Sequence, residues 1–513
     1  MNQNNKTIAK NTIFLSIRMV FVLGISLYTS RVILATLGVV DYGIYNVVCG
    51  FVTMFAFLST SMNNAIQRFY NFEFGRNGVT GTIKVYNAAV LIQLIIAIIT
   101  IILLETLGLW YIDNKMVIPE GRETAAFWVF QFSIASLFIV IVQVPYSAAI
   151  MAHEKMDFYA LVSVCDVILK LAIVYLLQIL SYDKLIIYGA LMLFINISDM
   201  ALYYVYSKSC FEDIKIEFKQ DWNLCKNMMT FSMWNLFGSF SGVAKEQGLN
   251  MILNIFFGPV VNAARGIAYQ VTGAIQGFVA NITIAARPQL TQAYALGNNT
   301  RMFNIMYGTS KLCYLVLLSM VIPILFEVDY ILKLWLGENV PENTNSFLVW
   351  VLLSSLVHVF NPITSFVVHA TGNMKKYQIV TGLFNLTILP VAFWLCKLGA
   401  NPVIVFILSF VYTLLGQVLC IYILSTLISF NSAFYYKTVW VPLLFVTVVS
   451  LVPGCVIKVS LVESFWRLVF QTMTAIFTIV ITSYLFVLSD TEKNIASSFV
   501  KKIVHTFKSN MFL

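Results

Sequence analysis

Long apolar stretches recur from residue 11 to residue 488 of this chain, and their spacing limits what it can fold into more than any other feature. A helix needs about 20 mostly apolar residues to cross the hydrocarbon core of a bilayer. Stretches of that kind fall at about 11–35, 44–61, 88–108, 125–147, 159–179, 185–206, 227–257, 267–286, 309–326, 346–369, 378–396, 403–425, 438–457 and 465–488. Fourteen transmembrane helices are expected from them, which leaves no room in 513 residues for a large soluble domain. Hydrophobic residues make up 59% of the chain and charged ones 11%, against about 45–50% and about 25% in soluble domains. Water-soluble, disordered and disulfide-stapled secreted classes are thereby excluded. The expected fold class is an all-α polytopic membrane protein. The seventh stretch is ambiguous, because it is glycine-rich and carries Lys245 and Glu246.

Charge then orients the chain. Counted over loops that alternate from the amino terminus, with Lys311 at the very start of its span taken with the loop, Lys and Arg number 20 on one side and 7 on the other, leaving Arg18, Arg31, Lys170, Lys245 and Arg467 inside spans. Basic residues are retained on the cytoplasmic side, so both termini are expected there, in a bacterial inner (cytoplasmic) membrane. The net charge of +9 is then a matter of topology, not of nucleic-acid binding. The polar start MNQNNKTIAKN runs into the first span without a small-residue cleavage site, so an uncleaved first helix is expected.

An internal repeat organises the spans. SAAIMAHEKMDFYALV aligns with SFVVHATGNMKKYQIV at an offset of 218, matching Ser147 to Ser365, Met156 to Met374 and Tyr159 to Tyr377. Gly43, Ile44 and Gly50 recur as Gly266, Ile267 and Gly273 at an offset of 223. A period near 220 holds six spans, an even number, so the two halves share one orientation. Parallel repeats of this kind are a transporter architecture. The expected organisation is a first six-helix bundle over 1–220, a second over 221–430, and two additional helices with a cytoplasmic tail over 431–513.

The motifs of several chemistries are missing. There is no Gly-Lys-Ser/Thr for a nucleotide-binding loop and no H-E-x-x-H, the four histidines have no metal-ligand spacing, and the eight cysteines include no C-x-x-C pair. Neither an enzyme nor a metal site is expected. Ionisable residues at membrane depth remain, and these are costly enough to be functional candidates. Asp166 and Lys170 stand at i, i+4 and read either as a structural ion pair or as part of a relay. Asp199 and Glu246 have no obvious local partner apart from Lys245, and read as sites for a coupling H+ or Na+ or as polar packing groups. Arg31 and Lys245 are the cationic candidates. Five basic residues within the spans suit an anionic substrate, whereas a cation exporter would want carboxylates there.

The stretches TSRVILATLGVVDYGIYNVVCGFVTMFAFLSTSMNNAIQRFYNFEFGR and MWNLFGSFSGVAKEQGLNMILNIFFGPVVNAARGIAYQVTGAIQGFVANITIAARPQLTQAYALGN carry a resemblance. They resemble the lipopolysaccharide and polysaccharide biosynthesis flippases of the multidrug/oligosaccharidyl-lipid/polysaccharide exporter superfamily. The resemblance implies two six-helix bundles with two extra spans, working by alternating access. Its cargo would be an undecaprenyl-diphosphate-linked oligosaccharide, moved to the periplasmic leaflet for O-antigen, capsule or other surface polysaccharide. Carried over by position, it implies Arg31 and Lys245 as cavity contacts to the diphosphate, and Arg68 and Arg287 as contacts at the cytoplasmic mouth. Arg31 and Lys245 do not occupy equivalent repeat positions. The partners implied are the lipid-linked substrate, the bilayer and polysaccharide polymerase or assembly machinery, with no resident cofactor. An ion-coupled multidrug exporter on the same architecture is the alternative.

Overall fold

The computed structural model describes residues 3–153, 155–180, 182–215, 217, 221–371, 374–490, 492 and 493, and among them there is no strand. In chain order the helices are α1 (Gln3–Thr53), α2 (Ala56–Leu103), α3 (Leu109–Asn114), α4 (Glu123–Ala152), α5 (Met156–Ile179), α6 (Lys184–Cys210), α7 (Trp222–Phe257), α8 (Pro259–Ala295) and α9 (Asn299–Phe326). They continue as α10 (Val328–Leu336), α11 (Thr344–His358), α12 (Phe360–Thr371), α13 (Met374–Leu386), α14 (Ile388–Lys397), α15 (Val403–Leu427), α16 (Ser432–Tyr435), α17 (Val441–Ser460) and α18 (Phe465–Phe486).

The all-α membrane class holds, and eleven helical segments among the described residues are long and apolar enough to cross a bilayer. That is three fewer than the sequence expectation, and the difference has local causes. Gly24–Ser59 passes as one segment, although Gly38 interrupts α1 with φ 78° and ψ 168°, a left-handed conformation that favours glycine. α7 and α8 fall short of the apolarity required because of their Asn, Gln, Lys, Glu and Arg residues, several of which are hydrogen-bonded to one another, as described below.

The chain divides into two compact units. The first comprises residues up to Gln270 with Trp335–Phe347 and Gln378–Leu408; the second comprises Val271–Leu334, Leu348–Tyr377 and the residues from Ser409 onward. In the first, α4 packs along both α2 and α6. Ala88, Ala89 and Ala97 of α2 and Ala125, Ala126, Ala148 and Ala149 of α4 are all buried. In lipid no hydrophobic force draws helices together, so small residues that let backbones approach, and the dispersion contacts this permits, hold such a bundle.

Polar clusters close this unit at its ends. Arg122, before α4, is bound by both Asp41 and Asp183, the latter at 2.5 Å. Burial works against charge on Asp183, but hydrogen bonds from Arg122 and from the Ile186 and Leu185 N–H groups outweigh it and hold the carboxyl below its ordinary range. At the other connections, His153 Nε2 lies 3.2 Å from Asp213 Oδ2. Asn87 binds the linker backbone twice, donating to the Lys215 carbonyl at 2.8 Å and accepting from the Glu217 N–H at 2.7 Å. Asp41, Arg122 and Asp183 lie at alternate helix ends, and His153 and Asp213 at the others, where Asn87 of α2 also reaches the linker, as consecutive antiparallel helices require.

In the second unit α17 and α18 pack on each other and on α9. Arg467 of α18 donates to Glu327 Oε2 at 2.6 Å and to the Leu461 carbonyl at 3.1 Å. Lys311 of α9, itself buried, holds Glu492 at 3.1 Å. The helices after residue 431 are thus fastened to α9 at two widely separated places.

One backbone pattern recurs. Gly38, Gly78 and Gly121 have positive φ, and so do Gly258, Gly297 and Gly337, which follow them by 220, 219 and 216 residues. Gly258, with φ 78° and ψ −177°, nearly reproduces the conformation of Gly38.

Candidate functional site

Three helices of the first unit, α1, α7 and the start of α8, are joined by side-chain amides. α8 begins with Pro259 directly after the turn glycine Gly258, so Asn262 and Arg265 lie within its first two turns. Asn262 Nδ2 donates to Asn250 Oδ1 at 2.7 Å and to the Asn250 carbonyl at 2.8 Å. Asn254 Nδ2 donates to Asn262 Oδ1 at 3.2 Å, while its oxygen accepts from the Val117 N–H at 2.9 Å. Asn250 Nδ2 reaches the Asn46 carbonyl of α1 at 3.3 Å. The close approach needs glycine at Gly43, where a Cβ would stand 2.0 Å from the Pro259 carbonyl oxygen. Asn250, Asn254 and Asn262 are buried, so this ladder satisfies polar groups that would otherwise be expensive at membrane depth.

The charged part of the site lies one turn further along. Arg265 Nη2 donates to Glu246 Oε2 at 3.0 Å and to the Glu246 carbonyl at 2.8 Å, and its guanidinium lies 4.3 Å from the centre of the Tyr269 ring. Gln270 then reaches α1, donating to the Ser26 carbonyl at 3.3 Å and to the Ser30 hydroxyl. From Arg265 to Gln270 is about 7.5 Å of helix axis. This single stretch of α8 therefore contacts the neighbour of each cationic candidate: Glu246 beside Lys245, and Ser30 beside Arg31. Lys245 is half-buried and has no hydrogen bond or ion pair among the described residues; Arg31 is exposed.

Glu246 is thus not left to Lys245 for a partner, as the sequence suggested. Arg265 takes it, and this residue escaped the sequence reading because the eighth span was expected to start only at 267. Its side chain is 9% exposed and that of Glu246 is 41% exposed, so the pair has one buried and one accessible member.

A second charged group sits on α5 and α6. Lys170 donates to Asp166 Oδ2 at 2.8 Å, the i, i+4 pair expected from spacing. Asp199 senses both charges, and its Oδ1 is buried with no hydrogen-bond partner among the described residues. Asp166, Lys170 and Asp199 come together, and Glu246 is engaged elsewhere. Of the two mouth candidates, Arg287 is exposed with its guanidinium 5.2 Å from the centre of the Phe366 ring; the Arg68 side chain lies outside the described residues. So do those of Trp234 and Asn235, while Tyr269 and Gln270 belong to the charged stretch of α8. Among the described residues no group of three His, Cys, Asp or Glu side chains could hold a metal ion.

This arrangement of helices has known counterparts. A lipid II flippase, MurJ, in its inward closed conformation superposes with a TM-score of 0.71 at 14% identity, over 92% of this chain and 98% of that one. An inward-facing multidrug resistance MATE family transporter of the MOP superfamily gives 0.64 at 14% identity, over 79% and 95%. The fold is that of the MOP superfamily transporters. A MOP superfamily transporter from Pyrococcus furiosus, described as having a binding pocket of reversed polarity, gives 0.54 at 17% identity over 82% and 96%. No protein-family model matches the sequence, and no curated protein matches it. At these identities the likeness is one of fold, and the substrate has to be argued from the chain's own residues.

Proposed function

We propose that this protein is a non-enzymatic flippase of the bacterial inner membrane. It moves an undecaprenyl-diphosphate-linked oligosaccharide from the cytoplasmic to the periplasmic leaflet by alternating access, for O-antigen, capsule or other surface polysaccharide. The observation that carries this reading is one short stretch of α8 that binds both Glu246, next to Lys245, and Ser30, next to Arg31. A diphosphate loses most of its hydration on leaving water, and cationic donors compensate for that loss. With Glu246 bound to Arg265, the Lys245 ammonium has its donors available to an anion. The fold likeness to a lipid II flippase over 92% of the chain is consistent with this reading.

The recurrence of left-handed glycines at 216–220 residues supports two parallel six-helix repeats, 1–220 and 221–430, with two further helices and a tail beyond. In this reading α7, α8 and the two limbs of α1 each cross the membrane, making fourteen spans with both termini cytoplasmic. Arg68 and Arg287 receive the diphosphate at the cytoplasmic mouth. Polysaccharide polymerase or assembly machinery takes the product.

A specific observation favours a second reading, an ion-coupled multidrug exporter. The carboxylates Asp166 and Asp199 lie beside Lys170, and Asp199 has a buried, unpartnered oxygen suited to binding H+ or Na+. In a flippase the same group would couple transport to an ion gradient. The two readings separate on deletion of the gene in its host. A flippase leaves complete lipid-linked repeat units on the cytoplasmic leaflet and abolishes surface polymer; an exporter leaves the lipid pool unchanged and sensitises the cell to cationic dyes.

A further inference from the structure

The second unit carries a half-open cavity of about 320 Å³ that none of the charged residues above lines. It lies between α8, α9 and the junction of α11 with α12. That junction is dictated by covalent chemistry. Pro362 has no N–H to donate to the carbonyl of His358 four residues earlier, and the helix breaks at Val359. The break falls near the middle of a 28-residue apolar segment, Thr344–Thr371, so the cavity lies near the middle of the hydrocarbon layer in the proposed topology. Irregular backbone at that depth is tolerated where it is buried in protein or lines a cavity.

The lining specifies a chemistry. It contains no acid, lysine or arginine, and His358 is its one titratable member. Its polar members are Gln276, Thr283, Ser355 and His358. Thr283 Oγ1 donates its hydrogen to the Ala280 carbonyl at 2.8 Å, and Ser355 Oγ donates to the Leu352 carbonyl at 2.7 Å. With those hydrogens committed, both hydroxyls offer only lone pairs to a ligand. The Gln276 amide makes no hydrogen bond to any described residue. The rest of the wall is aliphatic, Leu317 and Ala280 included. Convergent acceptors, a lining without acid, lysine or arginine and an aliphatic wall suit a neutral donor on a hydrophobic body.

We propose that this cavity is a binding site for a small amphipathic alcohol or phenol, whose hydroxyl donates to Thr283, Ser355 or Gln276 and whose hydrocarbon body lies against α8 and α9. A ligand of about 13 non-hydrogen atoms fits this volume at the packing density of protein interiors. The site does not depend on the nature of the transported cargo.

The test uses the full chain in phosphatidylcholine nanodiscs and a diazirine-bearing analogue of 2,6-diisopropylphenol, with the label mapped by mass spectrometry. Label should map to α8, α9 and the α11–α12 junction, and excess 2,6-diisopropylphenol should suppress it. Ala280→Trp fills the cavity and should lower labelling about tenfold, the equivalent of a tenfold loss of affinity at subsaturating probe. Should that variant fail to fold, Gln276→Leu and Thr283→Val remove hydrogen-bonding groups without adding bulk, and together should lower labelling several-fold at an unchanged melting midpoint. Label spread over lipid-facing residues, or unaffected by excess phenol or by these substitutions, would overturn the proposal.

Discussion

Removing Glu246 should damage this protein more than removing Arg265, although the arginine makes more contacts. The Arg265 side chain is 9% exposed and that of Glu246 is 41% exposed. Glu246→Ala leaves a guanidinium in a site that cannot rehydrate it. Breaking a buried pair from one side in this way costs about 3–5 kcal/mol. Here the Glu246 main-chain carbonyl remains as an acceptor at 2.8 Å, which lowers the expectation to about 2–4 kcal/mol. Arg265→Leu removes two hydrogen bonds and the stacking on Tyr269, but the carboxylate it leaves behind can turn to water. For so accessible a partner the ion pair itself is discounted, and a loss of about 1 kcal/mol is expected. The double variant should resemble Arg265→Leu alone. Equilibrium unfolding in mixed micelles, followed by tryptophan fluorescence, measures all three. If Arg265→Leu proves the more destabilising single change, the assignment of the buried member of the pair is wrong.

Other outcomes follow from the same geometry. Lys245→Ala and Arg31→Ala should each reduce surface polysaccharide at normal membrane levels of the protein; wild-type polymer in both would remove these residues from the diphosphate site. Asp199→Asn should abolish the dependence of transport on an imposed pH or Na+ gradient while leaving the protein's abundance unchanged, as measured by flux in proteoliposomes. Gly43→Ala should cost about 1–3 kcal/mol, because its Cβ meets the Pro259 carbonyl, whereas Gly273→Ala, with nothing within 4 Å, should be neutral or slightly stabilising. Burial opposes charge on Asp213, but the hydrogen bond with His153 overcomes this and holds its carboxyl below the ordinary range. Its stabilisation is therefore present above the unfolded carboxyl value of about 3.9 and is lost as pH falls through the lower folded value. In His153→Ala that loss should begin at higher pH, read as the melting midpoint against pH.

Much of the architecture could be read directly from residue order. Apolar runs of about 20 residues determine an all-helical membrane fold because the bilayer core offers backbone groups no hydrogen-bond partners, and a single run of that length pairs its own groups only as a helix. The Asp166–Lys170 pair was legible for a similar reason: its geometry is set by helical pitch alone. The polarity of α7 and α8 was less legible: both were read as spans, but only the structure shows that Asn250, Asn254 and Asn262 satisfy one another. The partner of Glu246 was hidden because it depends on where α8 begins. Gly258 turns the chain in one residue, and that brings Arg265, expected in a loop, into the helix and against α7. Likewise Asp41, Arg122 and Asp183 come from three separate connections and meet only because alternate helix ends lie together. Local order determined what each segment is; which charges neutralise one another was decided by packing, since that depends on distances between helices that no spacing along the chain encodes.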